Sequence, residues 1–489
     1  MTAVRFGQRA HRGKMERRRH FHLPAPPPRA VTNGQEQLLA EDAVFGPSLP
    51  TESTIHLVID LALRIGEVQM ASGAGAADCT ATIIAVTSAY GLPHCEVDVI
   101  FTSITVSCHR GTEAPPISSL RVVRTRGTDY TRLVGVEDLV RKITAGKIRV
   151  GDATSELNRL TTAPHPYPRW TATCAWAGMA ASISFLIGGD VMVASMAAII
   201  TGLVDRVGRL LNRRGLPFFF QQLVGGALAT GIAMGIVHSH LFPEQLSPTL
   251  MVAAAITVLL SGLSVVSTAQ DAISGYHVTA AGRSVEIALT SAGLIAGVVL
   301  ALNVAVHLGL PSTELASALP SSPGRLPIQL VAGAAAAMFF ALASYAGPRV
   351  LLVSGVAGAI GALAYGLTTL AHFGQIGSAG AAATVIGFGG GLLARRLRLP
   401  PVVVAVSGLT PLLPGYSTYR ALFQLSVSHA ASGVPSLIIA ITIAVALGSG
   451  VVLGEFLAQP VRTGLGRLER RFSGPRMAGP LRPARRRLE

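Results

Sequence analysis

Charged residues are scarce in this sequence. Only 13% of its 489 residues are Asp, Glu, Lys or Arg, and 50% are hydrophobic, whereas soluble globular chains carry about 25% charged residues. This deficit excludes a wholly soluble protein and predicts a membrane protein. Residues 1–169 are richer in Arg, Asp and Glu than the rest of the chain, and 170–460 is a succession of apolar runs. We therefore expect a polar front region followed by a membrane-embedded remainder.

Lysine is nearly absent, although the formal net charge is +15. Only three of the 40 basic residues are Lys, and together with the abundant Ala and Gly this bias is typical of a GC-rich genome. The basic excess therefore does not predict nucleic-acid binding, and its placement favours a lipid surface and cytoplasmic loops. Residues 1–50 are expected to be a disordered, Pro-rich tail. No apolar stretch follows the basic N-terminus, so no secretory signal peptide is predicted.

Cysteine is also rare, and three of the four Cys lie in the polar region. Structural disulfides are not expected there if the region is cytoplasmic. Two of these Cys belong to "HC" (94–95) and "CH" (108–109), which flank a hairpin predicted to turn at 101–102. Zinc is the alternative to ordinary strand pairing. Neighbouring residues on a strand point to opposite faces, so only two of the four could converge, and no metal site is predicted.

No P-loop, Walker-type Lys, dinucleotide fingerprint or nucleophile elbow is present. Any transport is therefore expected to use an ion gradient, with protons as the favoured ion, and neither a cofactor nor a catalytic residue is predicted. The alternative function is a membrane-tethered hydrolase or sensor acting through 51–169. That region is expected to be a compact α+β domain, with an amphipathic helix over 53–70 and two short helices within 136–162.

Ten apolar runs approach the length of about 20 residues that a helix needs to cross a bilayer. They lie near 171–188, 190–205, 219–238, 248–268, 285–307, 327–345, 348–371, 377–394, 401–422 and 434–457. We expect a multi-pass α-helical membrane protein of about ten transmembrane helices with a small N-terminal cytoplasmic α+β domain. The expected regions are a tail (1–50), the soluble domain (51–169), a first five-helix half (170–310), a second five-helix half (325–460) and a basic cytoplasmic tail (461–489).

The connections between these runs differ in charge. The even-numbered connections carry Arg-rich segments such as "DRVGRLLNRRG" (205–215) and "ARRLRLP" (394–400), whereas Arg325 is the only clear basic residue in the odd-numbered ones. Basic loops stay on the cytoplasmic side. Both termini are therefore predicted to be cytoplasmic, in a multi-pass protein of the cell membrane.

Two of the ten runs are interrupted. "SGLSVVSTAQDAISG" (261–275) follows the fourth run, and "SGLTPLLPG" (407–415) lies inside the ninth. The breaks hold matching places in two groups of five, which predicts a 5+5 inverted repeat of the kind found in transporters. Free peptide groups survive in a membrane only where they line a cavity or meet a ligand, so 261–275 and 407–420 are predicted to form a substrate site. The alternative is that the Pro residues merely kink a helix.

A zwitterionic amino acid needs an acidic group or carbonyls for its ammonium and a basic or N–H group for its carboxylate. Asp271 is the candidate for the ammonium, and Arg420 or N–H groups near Gly415 for the carboxylate. The candidates for a substrate hydroxyl are Ser264, Gln270, Ser407 and Thr410. The candidates for ion coupling are Asp271, Glu286 and Glu455. Two alternatives stay open: Asp271 pairs with Arg283 at the cytoplasmic surface, and Glu455 only reaches the interface.

Six blocks within about residues 53–460 form a specific pattern. They are "LALRIGEVQMASGAGAADC", "TSAYGLPHCEVDVIFTSITVS", "RRGLPFFFQQLVGGALAT", "LLSGLSVVSTAQDAISGYHVTAAGR", "GFGGGLLARRLRLPPVVVAVSGLTPLLPGYSTYR" and "GVVLGEFLA". In order and spacing they resemble the bacterial threonine/serine exporter family, above all its actinobacterial members. The resemblance implies proton-motive-force-driven efflux of L-threonine and L-serine through ten spans, with a soluble N-terminal domain. It also implies that the blocks around Gln270–Asp271 and 407–420 recur in the family. The turn "AGAADC" (74–79) departs from the family pattern, so no ligand-binding or catalytic role is expected for it.

Overall fold

The computed structural model describes residues 51–472 except 93, 110–114, 125–126, 240–246, 261, 310–321, 398 and 426–429. Residues 262–263, 394–396, 422, 430–432 and 459–472 are described by their backbone alone. The tail expected over 1–50 lies outside the described residues, as does the end of the tail expected over 461–489.

The segment 52–162, called the front domain below, combines α-helices with a β-sheet in its described residues. Its elements are helices α1 (Glu52–Ala71) and α2 (Ala76–Ala89), strands β1 (Cys95–Ile100), β2 (Ser103–Cys108) and β3 (Ile117–Val122), and helices α3 (Tyr130–Thr144) and α4 (Val150–Thr162). The three strands form an antiparallel sheet in the order β1-β2-β3. Cys95 pairs with Cys108 across the first hairpin, as the sequence predicts. Among the described residues no group of three or more His, Cys, Asp or Glu is arranged to hold a metal ion.

Burial follows the sequence pattern in α1. Ile55, Val58, Ile59 and Ile65 recur at helical spacing and are all buried, because one face of α1 packs against the rest of the front domain. Helix α3 begins earlier than the sequence predicts. The Asp129 side chain accepts a hydrogen bond of 3.0 Å from the backbone N–H of Arg132 and so caps the helix at its N-terminus.

Eight described helices are long and apolar enough to cross a membrane. They are α5 (Arg169–Ile187), α6 (Val191–Arg213), α7 (Phe218–His238), α10 (His277–His307), α11 (Leu326–Ala343, preceded by the 3-10 turn Pro323–Arg325), α12 (Pro348–Leu370), α13 (Gly374–Leu397) and α16 (Ala430–Phe472). The boundary between α5 and α6 falls at "GGD", where Gly188 has a φ of 105° and Asp190 caps α6.

The fourth predicted span is bent. It consists of α8 (Pro248–Leu259) and α9 (Gly262–Ile273), whose axes differ by 53°. The backbone turns at Leu260, which has extended dihedrals of φ −67° and ψ 131°. Counted as one, α8 and α9 would make a ninth span.

The ninth predicted span is broken into short pieces. It consists of α14 (Pro401–Leu409), a 3-10 turn (Thr410–Leu412) and α15 (Gly415–Phe423). Pro411 and Pro414 interrupt the helix because proline has no N–H to donate and its ring clashes with the preceding turn. Both predicted interruptions are thus present, while the count of ten spans remains a prediction.

Equivalent helices of the two expected halves have equivalent neighbours. Helix α5 packs against α6 as α11 packs against α12, and α7 packs against α10 as α13 packs against α16. Helices α5 and α11 also pack against each other. A Cβ on Gly293 of α10 would lie 2.5 Å from the Phe219 carbonyl oxygen, and one on Gly450 of α16 would lie 2.5 Å from the Gly380 carbonyl oxygen. Glycine therefore lets both pairs approach backbone to backbone.

Candidate binding site

A cavity of about 600 Å³ lies where the front domain meets the membrane helices. One wall comes from the front-domain segments around Gly73 and Gly127, and the others come from α5, α6, α7, α10 and the bend between α8 and α9. Small-molecule sites in proteins have volumes of about 300–1,000 Å³. The cavity is therefore large enough for a small ligand such as an amino acid.

Two buried polar atoms in the cavity wall have no hydrogen-bond partner among the described residues. They are Thr201 Oγ1 of α6 and Gln222 Oε1 of α7, and the two residues are only 3% and 6% exposed. The amide nitrogen of Gln222 donates to the Leu259 carbonyl oxygen, at 3.3 Å, where α8 ends. Buried polar groups normally have partners, so these atoms mark positions where a polar ligand would fit.

The cavity wall also carries an ion pair within α6. Arg209 Nε donates to Asp205 Oδ1 at 3.2 Å, and the same guanidinium donates from Nη1 to the Arg169 carbonyl oxygen at 2.9 Å and from Nη2 to Thr173 Oγ1. These residues are not among the site residues that the sequence predicts. The only available signal was the four-residue spacing of Asp205 and Arg209, which brings two side chains together on one face of a helix.

A second ion pair joins α9, the second part of the bent fourth span, to the neighbouring helix α10. Arg283 Nη1 donates to Asp271 Oδ2 at 2.7 Å, and the two side chains are 6% and 1% exposed. Arg283 lines the cavity. The alternative in which Asp271 pairs with Arg283 is thus the observed one, but the pair is buried beneath the front domain and does not lie at the surface.

The front domain is attached to this region by direct hydrogen bonds. Asp271 Oδ1 accepts from the backbone N–H of Ala76 at 2.7 Å, at the first residue of α2. Ser267 Oγ donates to the Gly73 carbonyl oxygen at 3.2 Å, and Thr279 Oγ1 donates to the Val99 carbonyl oxygen at 2.8 Å. The turn "AGAADC", for which no ligand-binding or catalytic role is expected, is therefore part of the junction.

A second attachment lies at the turn between α11 and α12. The backbone N–H of Tyr130 donates to the Ser344 carbonyl oxygen at 2.9 Å. The Tyr130 ring is buried among membrane helices, edge-on to Phe340 at 6.2 Å between ring centroids. Burial raises the pKa of Tyr130, and the nearby Ser407 side chain opposes part of the rise. Neither hydroxyl makes a hydrogen bond of ordinary geometry among the described residues.

The two interrupted segments contact each other. A Cβ on Gly415, at the start of α15, would overlap the side chain of Thr257 in α8. Val266 of α9 packs in one cluster with Leu409 and Leu412 of the ninth segment. The structure therefore brings the two breaks together, as the prediction of a shared site requires.

The predicted site residues fall into separate places. Among the described residues of the predicted set, only Ser264 lines the cavity. Asp271 does not line it but is hydrogen-bonded to Arg283, which does. Ser407 and Thr410 are buried in the ninth segment, where Thr410 Oγ1 donates to the Val406 carbonyl oxygen at 3.1 Å. The remaining residues differ in exposure: Gln270, Glu286 and Glu455 are half-buried, Gly415 is buried against Thr257, and Arg420 is exposed. Their roles remain predictions.

Two related protein families match different parts of the chain. A family described as "Putative threonine/serine exporter" matches residues 60–305, and one described as "Threonine/Serine exporter, ThrE" matches residues 329–457. The chain belongs to the threonine/serine exporter family. The resemblance seen in the six sequence blocks is thereby confirmed. The first match spans most of the front domain and the first five predicted spans, and the second match covers most of the other five.

Two actinobacterial relatives of this exporter-family chain cover most of its length. A "Probable threonine/serine exporter" of Mycobacterium tuberculosis is 40% identical over 430 residues, which are 86% of this chain and 80% of the relative. A "Threonine/serine exporter" of Corynebacterium glutamicum is 35% identical over 425 residues, which are 85% of this chain and 86% of the relative. No solved structure matches the chain.

Proposed function

We propose that the protein exports L-threonine and L-serine across the cell membrane. The observation that carries this proposal is a cavity beside the bend of an interrupted membrane helix, whose wall holds paired charges and two buried polar atoms without a hydrogen-bond partner in the described part of the chain. The names of both relatives supply the substrate class. The front-domain hydrolase or sensor, which was the alternative, gains no support from the family.

The cavity offers a place for each part of a zwitterionic substrate. A carboxylate fits the guanidinium of Arg283 or Arg209, because guanidinium binds carboxylates through two parallel hydrogen bonds. The Gln222 Oε1 and Thr201 Oγ1 atoms are acceptors for the ammonium or the substrate hydroxyl. Ser264 at the bend is a further partner for the hydroxyl. This assignment keeps Ser264 but moves most of the site from the two interrupted segments, 261–275 and 407–420, to the wall shared by α6, α7 and α10.

The topology proposed for export has ten spans in two inverted halves, with both termini in the cytoplasm. The Arg-rich connection between α6 and α7 supports this orientation, and residues on both sides of it line the cavity. The cavity would then open toward the cytoplasm, from which an exporter loads. The matching neighbours of α7–α10 and α13–α16 support the repeat.

Proton-motive force is the proposed energy source, because no nucleotide-binding motif is present in the sequence. Glu286 of α10 and Glu455 of α16 are the proposed proton-carrying groups, since both lie half-buried on membrane helices. An uncoupler is expected to stop efflux. Efflux that continues unchanged with an uncoupler would instead indicate a channel.

The proposed function is tested by threonine efflux from cells loaded with a threonine dipeptide. A deletion strain should retain threonine, and the cloned protein should restore its release. Arg283→Gln should abolish the release, whereas Arg206→Gln, which removes an exposed Arg on α6, should not. Release from the deletion strain at the wild-type rate would disprove the proposal.

A further inference from the structure

We infer that Asp271 is a positioning residue, which holds the Arg283 guanidinium in the cavity wall as the carboxylate-binding group and fixes the front-domain helix α2 above it. This inference rests on the proposed function, since it assigns roles within the same site. It replaces the sequence-based expectation that Asp271 itself binds the ammonium of the substrate.

The geometry around Asp271 favours this role. One carboxylate oxygen accepts from Arg283 and the other accepts from the backbone N–H of Ala76, both at 2.7 Å. The side chain is only 1% exposed. Each oxygen could accept one more hydrogen bond, but an ammonium group could reach so deeply buried a carboxylate only by displacing the groups packed around it. Arg283, in contrast, lines the cavity.

Helix α2 depends on Asp271 for its N-terminal cap. Its own N-cap residue is Gly75, whose lack of a side chain leaves the first N–H groups without a local acceptor. The carboxylate of Asp271, which lies 195 residues away in the sequence, supplies the missing acceptor for the N–H of Ala76. A negative charge at a helix N-terminus is favourable because it faces the positive end of the helix dipole. One carboxylate thus ties the front domain to the arginine of the cavity.

Removing the charge of Asp271 should therefore change the position of the Arg283 guanidinium. Asparagine keeps an acceptor for Ala76 but no longer opposes the guanidinium, which is left buried without that counter-ion. The guanidinium is then expected to lose its fixed direction, and ligands that need it should bind less tightly. Ligands without a carboxylate should not be affected.

The test compares three ligands on the purified full-length protein in detergent, by competition with radiolabelled threonine or by calorimetry. The ligands are threonine, 3-hydroxybutyrate, which has no ammonium, and threoninol, which has no carboxylate. Asp271→Asn should weaken the binding of threonine and 3-hydroxybutyrate by a factor on the order of ten or more, comparable with the loss when a residue that orients a metal ligand is removed. Threoninol affinity should stay unchanged.

The controls separate positioning from a general loss of structure. Asp78→Asn removes a carboxylate of α2 that lies near Asp271, since burial and, to a lesser extent, the Asp271 charge raise the pKa of Asp78. It should leave all three affinities unchanged. Asp271→Glu keeps the charge and should recover part of the threonine affinity. If Asp271→Asn does not fold, the double variant Asp271→Asn with Arg283→Gln, a neutral pair, should fold. It should bind threoninol with the wild-type affinity and no longer bind threonine or 3-hydroxybutyrate.

Two results would overturn the inference. Asp271 is the ammonium ligand if Asp271→Asn, or the neutral pair in its place, lowers the affinity for threoninol and leaves the affinity for 3-hydroxybutyrate unchanged. If all three ligands weaken equally, or none does, in a variant that keeps the wild-type elution volume and melting temperature, Asp271 has no directed effect on Arg283. Absence of threonine binding by the wild type would instead disprove the proposed function, and the inference with it.

Discussion

Gly415 lies where the two interrupted segments cross, and its replacement by Ala should separate them. A Cβ at this position would lie 2.5 Å from the Cβ of Thr257 and 2.7 Å from its Cγ2, and it would overlap Oγ1 as well. Rotation of the Thr257 side chain cannot relieve the clash, because its Cβ is fixed to the backbone of α8. Ordinary carbon contacts need about 3.5–4.0 Å, so the segments must move apart by about 1 Å.

The expected cost of this movement is about 1–3 kcal/mol, the usual range for inserting a methyl group into a packed core. Even 1–2 kcal/mol changes the ratio of folded to unfolded protein by a factor of about 5–30. Gly415→Ala should therefore lower the melting temperature of the purified protein in detergent and reduce threonine efflux at equal protein level. The double variant with Thr257→Gly removes the opposing side chain and should recover both.

Gly389→Ala is the matched control, because a Cβ there would have no atom of the described residues within 4 Å. It should behave as the wild type in both assays. The reasoning would be refuted if Gly415→Ala melted and transported like Gly389→Ala, since the two segments would then not be in contact in the working protein.

Three further outcomes are expected. Replacing Pro411 and Pro414 by Ala restores two N–H donors and should lower threonine efflux by joining α14 to α15; unchanged efflux would show that the break is not needed. Gly297→Val and Gly454→Val each place a side chain against the backbone of a neighbouring helix, so both should reduce folded protein on native gels, whereas Gly231→Val, at a position open to its surroundings, should not. Burial raises the pKa of Cys79 to about 12, so its thiol should resist alkylation at pH 8 in the folded protein and react after unfolding, where the pKa is about 8.5. Because the folded-state pKa is the higher one, this thiol's contribution to stability is retained below about pH 8.5 and is lost as the pH rises toward 12. Alkylation of Cys79 in folded protein at pH 8 would contradict its burial.

The sequence predicted the membrane helices well because their signal is local. A run of about 20 apolar residues satisfies its own backbone hydrogen bonds and can be recognised without knowing its neighbours. The breaks near Leu260 and at Thr410–Pro414 were recognised in the same way, because Gly and Pro act on the backbone within a few residues. The stripe of α1 and the pairing of Cys95 with Cys108 follow from helical and strand periodicity.

The candidate site was predicted only in part, because its members are distant in sequence. Asp271 was selected as a charge at membrane depth, but its contact with Ala76 joins residues 195 positions apart. Thr201 and Gln222 carry no sequence signal at all, since a buried Thr or Gln becomes informative only when its partners are known to be missing.

What the sequence determined by itself is therefore the class of the protein, the places of its helices, the two interruptions and the family. Only the tertiary structure decided that the front domain completes the cavity, that Asp271 faces Arg283 and α2, and that Gly415 meets Thr257. The reason is physical: helix formation and backbone breaks depend on interactions within a few residues, whereas a cavity and a buried ion pair exist only after elements far apart in the chain have packed together.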